Sequence, residues 1–135
     1  MKAVCADHGP GFAGTPAAIA ALGGRQIERG PNGTGYRLPG GDTVALVRHG
    51  IGMQCGYYTH SPATMPALTQ VLTATPGLQP TKAVENILTP QGNVVFPNTY
   101  LTADRKTMVR VSPMPGVGTT IFLVESSNSL PRALW

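Results

Sequence analysis

Cys55 lies between two histidines in the sequence, and this combination could support three kinds of chemistry. Residues 48–62 read RHGIGMQCGYYTHSP, so that His49 and His60 flank Cys55 within one short stretch. The Cys55 thiol could act as a nucleophile, coordinate a metal ion or form a disulfide. The chain contains one other cysteine, Cys5, which could be the partner in a disulfide.

A disulfide between Cys5 and Cys55 is the interpretation that the sequence favours. Only 12% of the residues are charged, against about 25% in an average domain. Such a composition is common in extracellular proteins, where disulfides form and persist. We therefore expect a bridge that holds the N-terminal segment on a strand. The alternative is a pair of free, buried thiols in a reduced cytoplasmic protein, because no signal peptide is recognisable at the start of the chain.

A small cysteine-dependent hydrolase is the enzymatic alternative. It would use Cys55 as the nucleophile with His60 or His49 as the base, because a thiol needs a nearby histidine to lower its pKa. No papain-like or caspase-like signature surrounds Cys55. The acidic residues are too dispersed to form a catalytic carboxylate pair. The sequence therefore favours a protein that is not an enzyme and has no cofactor.

A zinc site is a further alternative for the same residues. The possible ligands, which include a Cys-x2-His pair and a Cys-x4-His pair, are Cys5, His8, His49, Cys55 and His60. The two pairs are much farther apart in the sequence than the ligand pairs of a zinc finger. The sequence therefore favours no metal site.

The densest group of charges lies around a predicted turn and consists of Asp104, Arg105, Lys106 and Arg110. The net charge is +4, and most other basic residues are single arginines spread along the chain. A nucleic-acid interface requires basic residues clustered on one face, so nucleic acid is not expected as a partner. Strand edges with few charges favour pairing with another chain. We therefore predict that residues 89–118 bind a protein partner or a second copy.

The 135 residues are predicted to form a single domain, residues 1–135, which is long enough to bury one core. No apolar run approaches the roughly 18 residues that a membrane-spanning helix requires. The 17 glycines and 13 prolines favour strands and turns over long helices.

Three short helices are predicted. The first begins with Thr15 as a cap and ends at Gly30, or earlier at the pair Gly23-Gly24. The second occupies residues 64–75, and its apolar residues at helical spacing are Met65, Leu68, Val71 and Leu72. The third, TKAVENIL at residues 81–88, must end before Pro90.

Strands are predicted in two groups. The segment of residues 34–58 contains three β-prone runs separated by turns, which indicates a hairpin or a three-stranded meander. Further strands are expected near residues 93–96, 99–102, 107–112 and 119–125. The predicted fold class is α+β, with an antiparallel β-sheet and two or three short helices packed on one face.

Residues 65–115, MPALTQVLTATPGLQPTKAVENILTPQGNVVFPNTYLTADRKTMVRVSPMP, resemble the globular domain of type IVb pilins and plasmid-type minor pilins. In that family an apolar helix leads to a Gly-Leu-x-Pro step, a polar segment with Asn and Gly, and then an antiparallel sheet. The matching residues are Leu68, Leu72, Gly77, Leu78, Pro80, Asn86 and Gly92. The resemblance covers little more than a third of the chain and implies a non-enzymatic surface or filament protein.

The function that the sequence favours is a structural or binding module of an extracellular assembly, either a pilin-like surface appendage or a virion component. The expected location is extracellular or at the cell surface, with the cytoplasm as the alternative. The other functions that the sequence leaves open are the cysteine-dependent hydrolase and an adaptor or inhibitor that binds a partner's surface.

Overall fold

A computed structural model describes residues 1–9, 11–49, 52–60, 65–81, 85–89, 92–96, 99–104, 106–114 and 119–126. These residues form an α+β fold, as predicted. The helices are a short 3-10 helix (Ala6–His8), α1 (Thr15–Ala21) and α2 (Met65–Ala74). The strands are β1 (Arg25–Gly30), β2 (Gly33–Arg37), β3 (Thr43–His49), β4 (Gly52–Thr59), β5 (Leu78–Thr81), β6 (Glu85–Thr89), β7 (Gly92–Phe96), β8 (Thr99–Thr102), β9 (Thr107–Met114) and β10 (Thr119–Ser126).

Eight of these strands form one antiparallel sheet in the order β1-β2-β3-β4-β10-β9-β8-β5, and β6 pairs with β7 in a separate two-stranded sheet. Strands β1 to β4 follow one another as a meander. The next neighbour of β4 is β10, and in this pairing Cys55 lies opposite Val124. The pairing joins the N-terminal meander and the C-terminal strands into one continuous sheet.

One face of the eight-stranded sheet carries the main hydrophobic core. Side chains alternate between the faces of a strand, so Val44 and Leu46 of β3 point to the same face. They belong to a cluster with Cys55 of β4, Ile19 of α1 and Leu72 of α2. Both α-helices therefore pack on one face of the sheet.

Strand β9 is buried on both of its faces. Val109 and Val111 belong to the main core, whereas Met108 and Leu101 form a second apolar cluster. Met108 alternates with Val109 along the strand, so the second cluster lies on the opposite face. Strand β7 lies against β9. The buried side chains of β9 therefore lie on both faces of the strand.

The first helix ends at the earlier of the two predicted points. α1 stops at Ala21, and β1 begins at Arg25. Gly23 between them has a φ of 77°, a left-handed conformation that glycine adopts without the steric cost of a Cβ atom. The glycine pair therefore ends the helix, and the residues beyond it form a strand instead.

Thr15 has a different role from the predicted cap. It is the first residue of α1, and the cap position is occupied by Gly14. The Thr15 hydroxyl donates a hydrogen bond to the Val4 carbonyl oxygen at 2.7 Å. Thr15 therefore connects the helix to the N-terminal segment.

The prediction of a helix at residues 81–88 was wrong. Residues 85–89 form β6, which pairs with β7 from Glu85 opposite Phe96 to Thr89 opposite Gly92. Only two residues separate the strands in sequence, which favours local pairing as a hairpin. The β-branched side chains of Ile87 and Thr89 also favour the extended conformation. Residues 82–84 lie outside the described ranges.

The other predicted elements are present. α2 matches the predicted second helix, strands β2 to β4 match the predicted meander, and β7 to β10 match the four later strands. Strands β1 and β5 were not predicted as strands. Neither α1, α2 nor the short 3-10 helix, which are the helices of the described ranges, is long and apolar enough to cross a bilayer.

Candidate functional site

Cys5 and Cys55 are joined by a disulfide, so the predicted pairing is confirmed. The sulfur atoms are 2.06 Å apart and the Cα atoms 5.7 Å apart. Both cysteines are 0% exposed. Cys5 immediately precedes the short 3-10 helix, and Cys55 lies within β4. The bridge therefore fixes the N-terminal segment on the core face of the sheet.

Apolar contacts hold the same segment in place. Val4, Ala6 and Phe12 are all buried in the main core. Phe12 has a φ of 57°, which is uncommon for a bulky residue, and its N–H donates a hydrogen bond to the His8 carbonyl oxygen at 3.0 Å. This turn allows the Phe12 ring to enter the core just before α1 begins.

The residues of the hydrolase alternative do not form a catalytic arrangement in this state. The sulfur of Cys55 is bonded to Cys5, so it carries no thiol that could act as a nucleophile. His60 is exposed, and its backbone N–H donates a hydrogen bond to Asp42 Oδ1 at 3.3 Å. His49 is the last residue of β3, and its side chain lies outside what the structure describes.

The zinc alternative also loses its cysteine ligands to the disulfide. His8 Nε2 lies 3.1 Å from the carbonyl oxygen of Ala3. Within the described part of the chain, no three His, Cys, Asp or Glu side chains are grouped so that they could hold a metal ion.

Asp104 organises the turn between β8 and β9. Its carboxylate accepts hydrogen bonds from the Thr102 hydroxyl and, at 3.1 Å, from the backbone N–H of Lys106. These hydrogen bonds, that from Thr102 above all, hold the pKa of Asp104 below its usual value. Asp104 and Lys106 are both exposed, whereas Arg105 lies outside the described residues.

Arg110 does not belong to this exposed turn. It lies in β9 and is only 3% exposed, so the expectation that it contributes to the surface of the turn was wrong. The reason is that Arg110 shares the face of β9 that carries the buried Met108, and β7 lies against β9.

The edges of the eight-stranded sheet are β1 and β5, and both lie outside the predicted binding region of residues 89–118. In β5, Leu78 donates its N–H to the Thr75 carbonyl oxygen at 3.3 Å, and Pro80 has no N–H. Backbone N–H groups alternate between the two edges of a strand, so the nitrogen atoms of Leu78 and Pro80 lie at the same edge of β5. The outer edge of β5 therefore offers few donors to another strand. β1 is exposed throughout, with an irregular register between Gln26 and Glu28.

Asp42 connects the turn before β3 to the end of β4. Its Oδ2 atom accepts a hydrogen bond from the Tyr57 hydroxyl at 2.8 Å, while Oδ1 accepts the His60 N–H. Burial, together with this hydrogen bond and the negative charge of Asp42, raises the pKa of Tyr57 to about 12. This contact could not be predicted from the sequence, because the two residues are brought together by the pairing of β3 with β4.

We expect the Tyr57–Asp42 hydrogen bond to make the stability depend on pH in the alkaline range. The folded-state pKa of about 12 lies above the ordinary value of 10.0, so the contribution of Tyr57 is complete below about pH 10. It is lost as the pH rises through about 12. Thermal unfolding of the Tyr57→Phe variant should show a lower midpoint at about pH 8 and a weaker alkaline dependence.

Tyr58→Phe is the matched control on the same strand. Burial alone raises the pKa of Tyr58, so this substitution should change the alkaline dependence without lowering the midpoint at neutral pH. Equal midpoints for Tyr57→Phe and the unmodified protein at about pH 8 would show that the hydrogen bond to Asp42 does not stabilise the fold.

Four side chains form a row on the face of the sheet opposite the main core, and we call them the outer row. Arg25 of β1 lies opposite Arg37 of β2, Arg37 lies opposite Thr43 of β3, and Thr43 lies opposite Tyr58 of β4. Tyr36, which precedes Arg37, is buried in the main core, so Arg37 and its partners point to the other face. Both arginines are exposed.

Sequence reasoning missed the outer row because it treated the arginines as scattered. The available signal was the turn sequence Gly30-Pro31-Asn32-Gly33, which places Arg25 and Arg37 on the two arms of one hairpin. The prediction of a helix that continues to Gly30 excluded a strand at residues 25–30, and therefore this hairpin was not predicted.

The ring of Tyr58 lies over Gly56 on the same face. A Cβ atom at position 56 would be 2.9 Å from Tyr58 Cε2 and 2.9 Å from its hydroxyl oxygen. The neighbours of Gly56 across β3 and β2 are Ala45 and Gly35. The absence of larger side chains at these three positions leaves a low surface on which the ring can lie.

Comparison with known proteins identifies no matching family model, no similar curated protein and no similar solved structure.

Proposed function

We propose that this chain is a non-enzymatic structural or binding module of an extracellular assembly, such as a pilin-like surface appendage or a virion component. The observation that carries the proposal is the Cys5–Cys55 disulfide, which is buried in the core. Disulfides form and persist mainly in oxidising compartments, so the bridge supports an extracellular location. It also occupies the cysteine that the hydrolase alternative would need.

The β8–β9 turn supports a protein-binding role for the module. Asp104 and Lys106 are exposed, and hydrogen bonds hold the Asp104 carboxylate in a defined position. Charged groups that are already ordered lose less conformational freedom when a partner binds. We propose that a protein partner or a second copy contacts this turn, with Arg105 as a further contact.

The proposal is tested by thiol alkylation of the protein in its native source, before lysis and without a reductant. Mass spectrometry should find Cys5 and Cys55 unlabelled, and labelled only after unfolding and reduction, because the bridge protects both sulfur atoms. A membrane-impermeant amine reagent applied to intact cells or particles should modify Lys106.

The cytoplasmic alternative gives the opposite result in both measurements. Two thiols that become labelled once the protein is unfolded without reduction, in material that the impermeant reagent does not reach, would overturn the proposed location. A sample with reduced Cys55 would also restore the cysteine-dependent hydrolase as a candidate, and Cys55→Ala would then serve as the control in activity assays.

A further inference from the structure

We propose that the outer row, formed by Arg25, Arg37, Thr43 and Tyr58, binds an acidic polysaccharide whose sugars carry carboxylates. This inference rests on the proposed function, because an extracellular module meets such polymers at cell surfaces.

The paired arginines provide the first argument. Residues directly opposite each other in an antiparallel pair have Cβ atoms about 4.5–5.5 Å apart, and like charges at such positions repel each other. Among the described carboxylates, none forms an ion pair with Arg25 or Arg37. The nearest acidic residue on the hairpin is Glu28, whose carboxylate is directed over Gly35, two residues before Arg37. The two guanidinium groups are therefore open to an external anion.

The chemistry of the row favours carboxylates on an extended polymer. A guanidinium group binds a planar carboxylate through two parallel hydrogen bonds. Neighbouring strands are about 4.8 Å apart, so the row extends about 14 Å from β1 to β4. That length suits several consecutive sugars better than one small anion. The Thr43 hydroxyl, between the charged pair and Tyr58, can donate to or accept from a sugar hydroxyl.

Tyr58 supplies an aromatic surface at the end of the row. The edge of its ring, at Cε2 and the hydroxyl oxygen, lies beside Gly56, and the side chain is half-buried. The exposed part of such a ring can contact the apolar face of a sugar. The combination of one ring and two cations matches a polymer that is both carbohydrate and anion.

The same features disfavour a nucleic acid on this face. Binding to a nucleic-acid backbone depends on neutralising many closely spaced phosphates. The outer row contains two arginines, which suits a polymer with a lower density of negative charge.

The test measures binding of an oligogalacturonate of about six sugars by calorimetry at about 50 mM salt, using the full chain with its disulfide intact. The double variant Arg25→Gln/Arg37→Gln should bind about tenfold or more weakly, because two charge-assisted contacts are lost. The matched control is Arg29→Gln/Arg48→Gln, which changes the net charge equally at two exposed arginines outside the row. Its affinity should stay within about twofold of the unmodified protein.

Two further variants test the ring. Tyr58→Phe should keep most of the affinity and Tyr58→Leu should weaken it, because stacking requires the ring rather than the hydroxyl. The thermal midpoint of Arg25→Gln/Arg37→Gln should not fall, since the substitution removes repulsion between like charges. Loss of binding in a variant with an unchanged or higher midpoint is therefore not caused by unfolding.

Several results would overturn the inference. They are an absence of oligogalacturonate binding, equal weakening in both double variants, equal binding of a neutral malto-oligosaccharide, and tighter binding of single-stranded DNA of matched charge. Failure here together with a protected disulfide in surface-labelled native material would reject the polysaccharide site alone and leave the proposed function standing.

Discussion

Replacing both Cys5 and Cys55 with alanine is expected to lower the free energy of unfolding by about 4 kcal/mol. The bridge joins residues separated by 50 positions, and it restricts the conformations of that loop in the unfolded chain. Its removal restores this freedom and so stabilises the unfolded state. Because small proteins are stable by only about 5–15 kcal/mol, the loss is a large fraction of the total.

Urea unfolding of the double alanine variant and of the unmodified protein measures this difference. The unmodified protein in a strong reductant, with its thiols then alkylated in the unfolded state, provides a second sample without the bridge. Hydrogen exchange at Val4 and Ala6 should accelerate in the variant. Both residues flank Cys5, which the disulfide holds against β4. A stability loss below about 1 kcal/mol would show that apolar contacts alone hold the segment.

Leu72→Ala is expected to lower the free energy of unfolding by about 3 kcal/mol. Leu72 in α2 is 0% exposed and belongs to the main core, so truncation removes apolar contacts and leaves a cavity. Val71 is the matched control on the same helix, because it is 61% exposed. Val71→Ala should change the stability by no more than about 0.5 kcal/mol.

Chemical denaturation of both variants tests which face of α2 contacts the sheet. Similar losses for Leu72→Ala and Val71→Ala would contradict the helix orientation described above. The comparison also tests the sequence pattern, which placed Val71 and Leu72 together on the apolar side of the helix. In the structure, Leu68 and Leu72 contact the core, and Val71 points outward.

The sequence predicted most of the elements whose identity depends on short-range signals. β-prone runs separated by turn residues identified the strands of the meander, and the helical spacing of apolar residues identified α2. The same signals failed at residues 85–89, where helical spacing of apolar residues is equally compatible with a strand in so short a segment. Pairing with β7 decides that case, because it satisfies the backbone hydrogen bonds of both segments.

Some features of the candidate sites could be predicted from the sequence, and others could not. Two cysteines in a chain of low charge favoured the Cys5–Cys55 bridge over two free thiols, and the count of cysteines left a single intramolecular pairing. The exposure of Arg110 could not be predicted in this way. Its burial follows from the face that it shares with the buried Met108 and from the contact of β7 with β9, and both are properties of the tertiary structure.

The sequence by itself determined the fold class and most strands, because local backbone preference and side-chain pattern are encoded within a few residues, and it favoured the disulfide without excluding free thiols. Only the tertiary structure decided that β10 joins β4, that Asp42 contacts Tyr57, and that Arg25 lies beside Arg37. The physical reason is that strand pairing and register depend on which segments bury their apolar faces together. That choice is made by the whole core, and no single segment of the chain contains it.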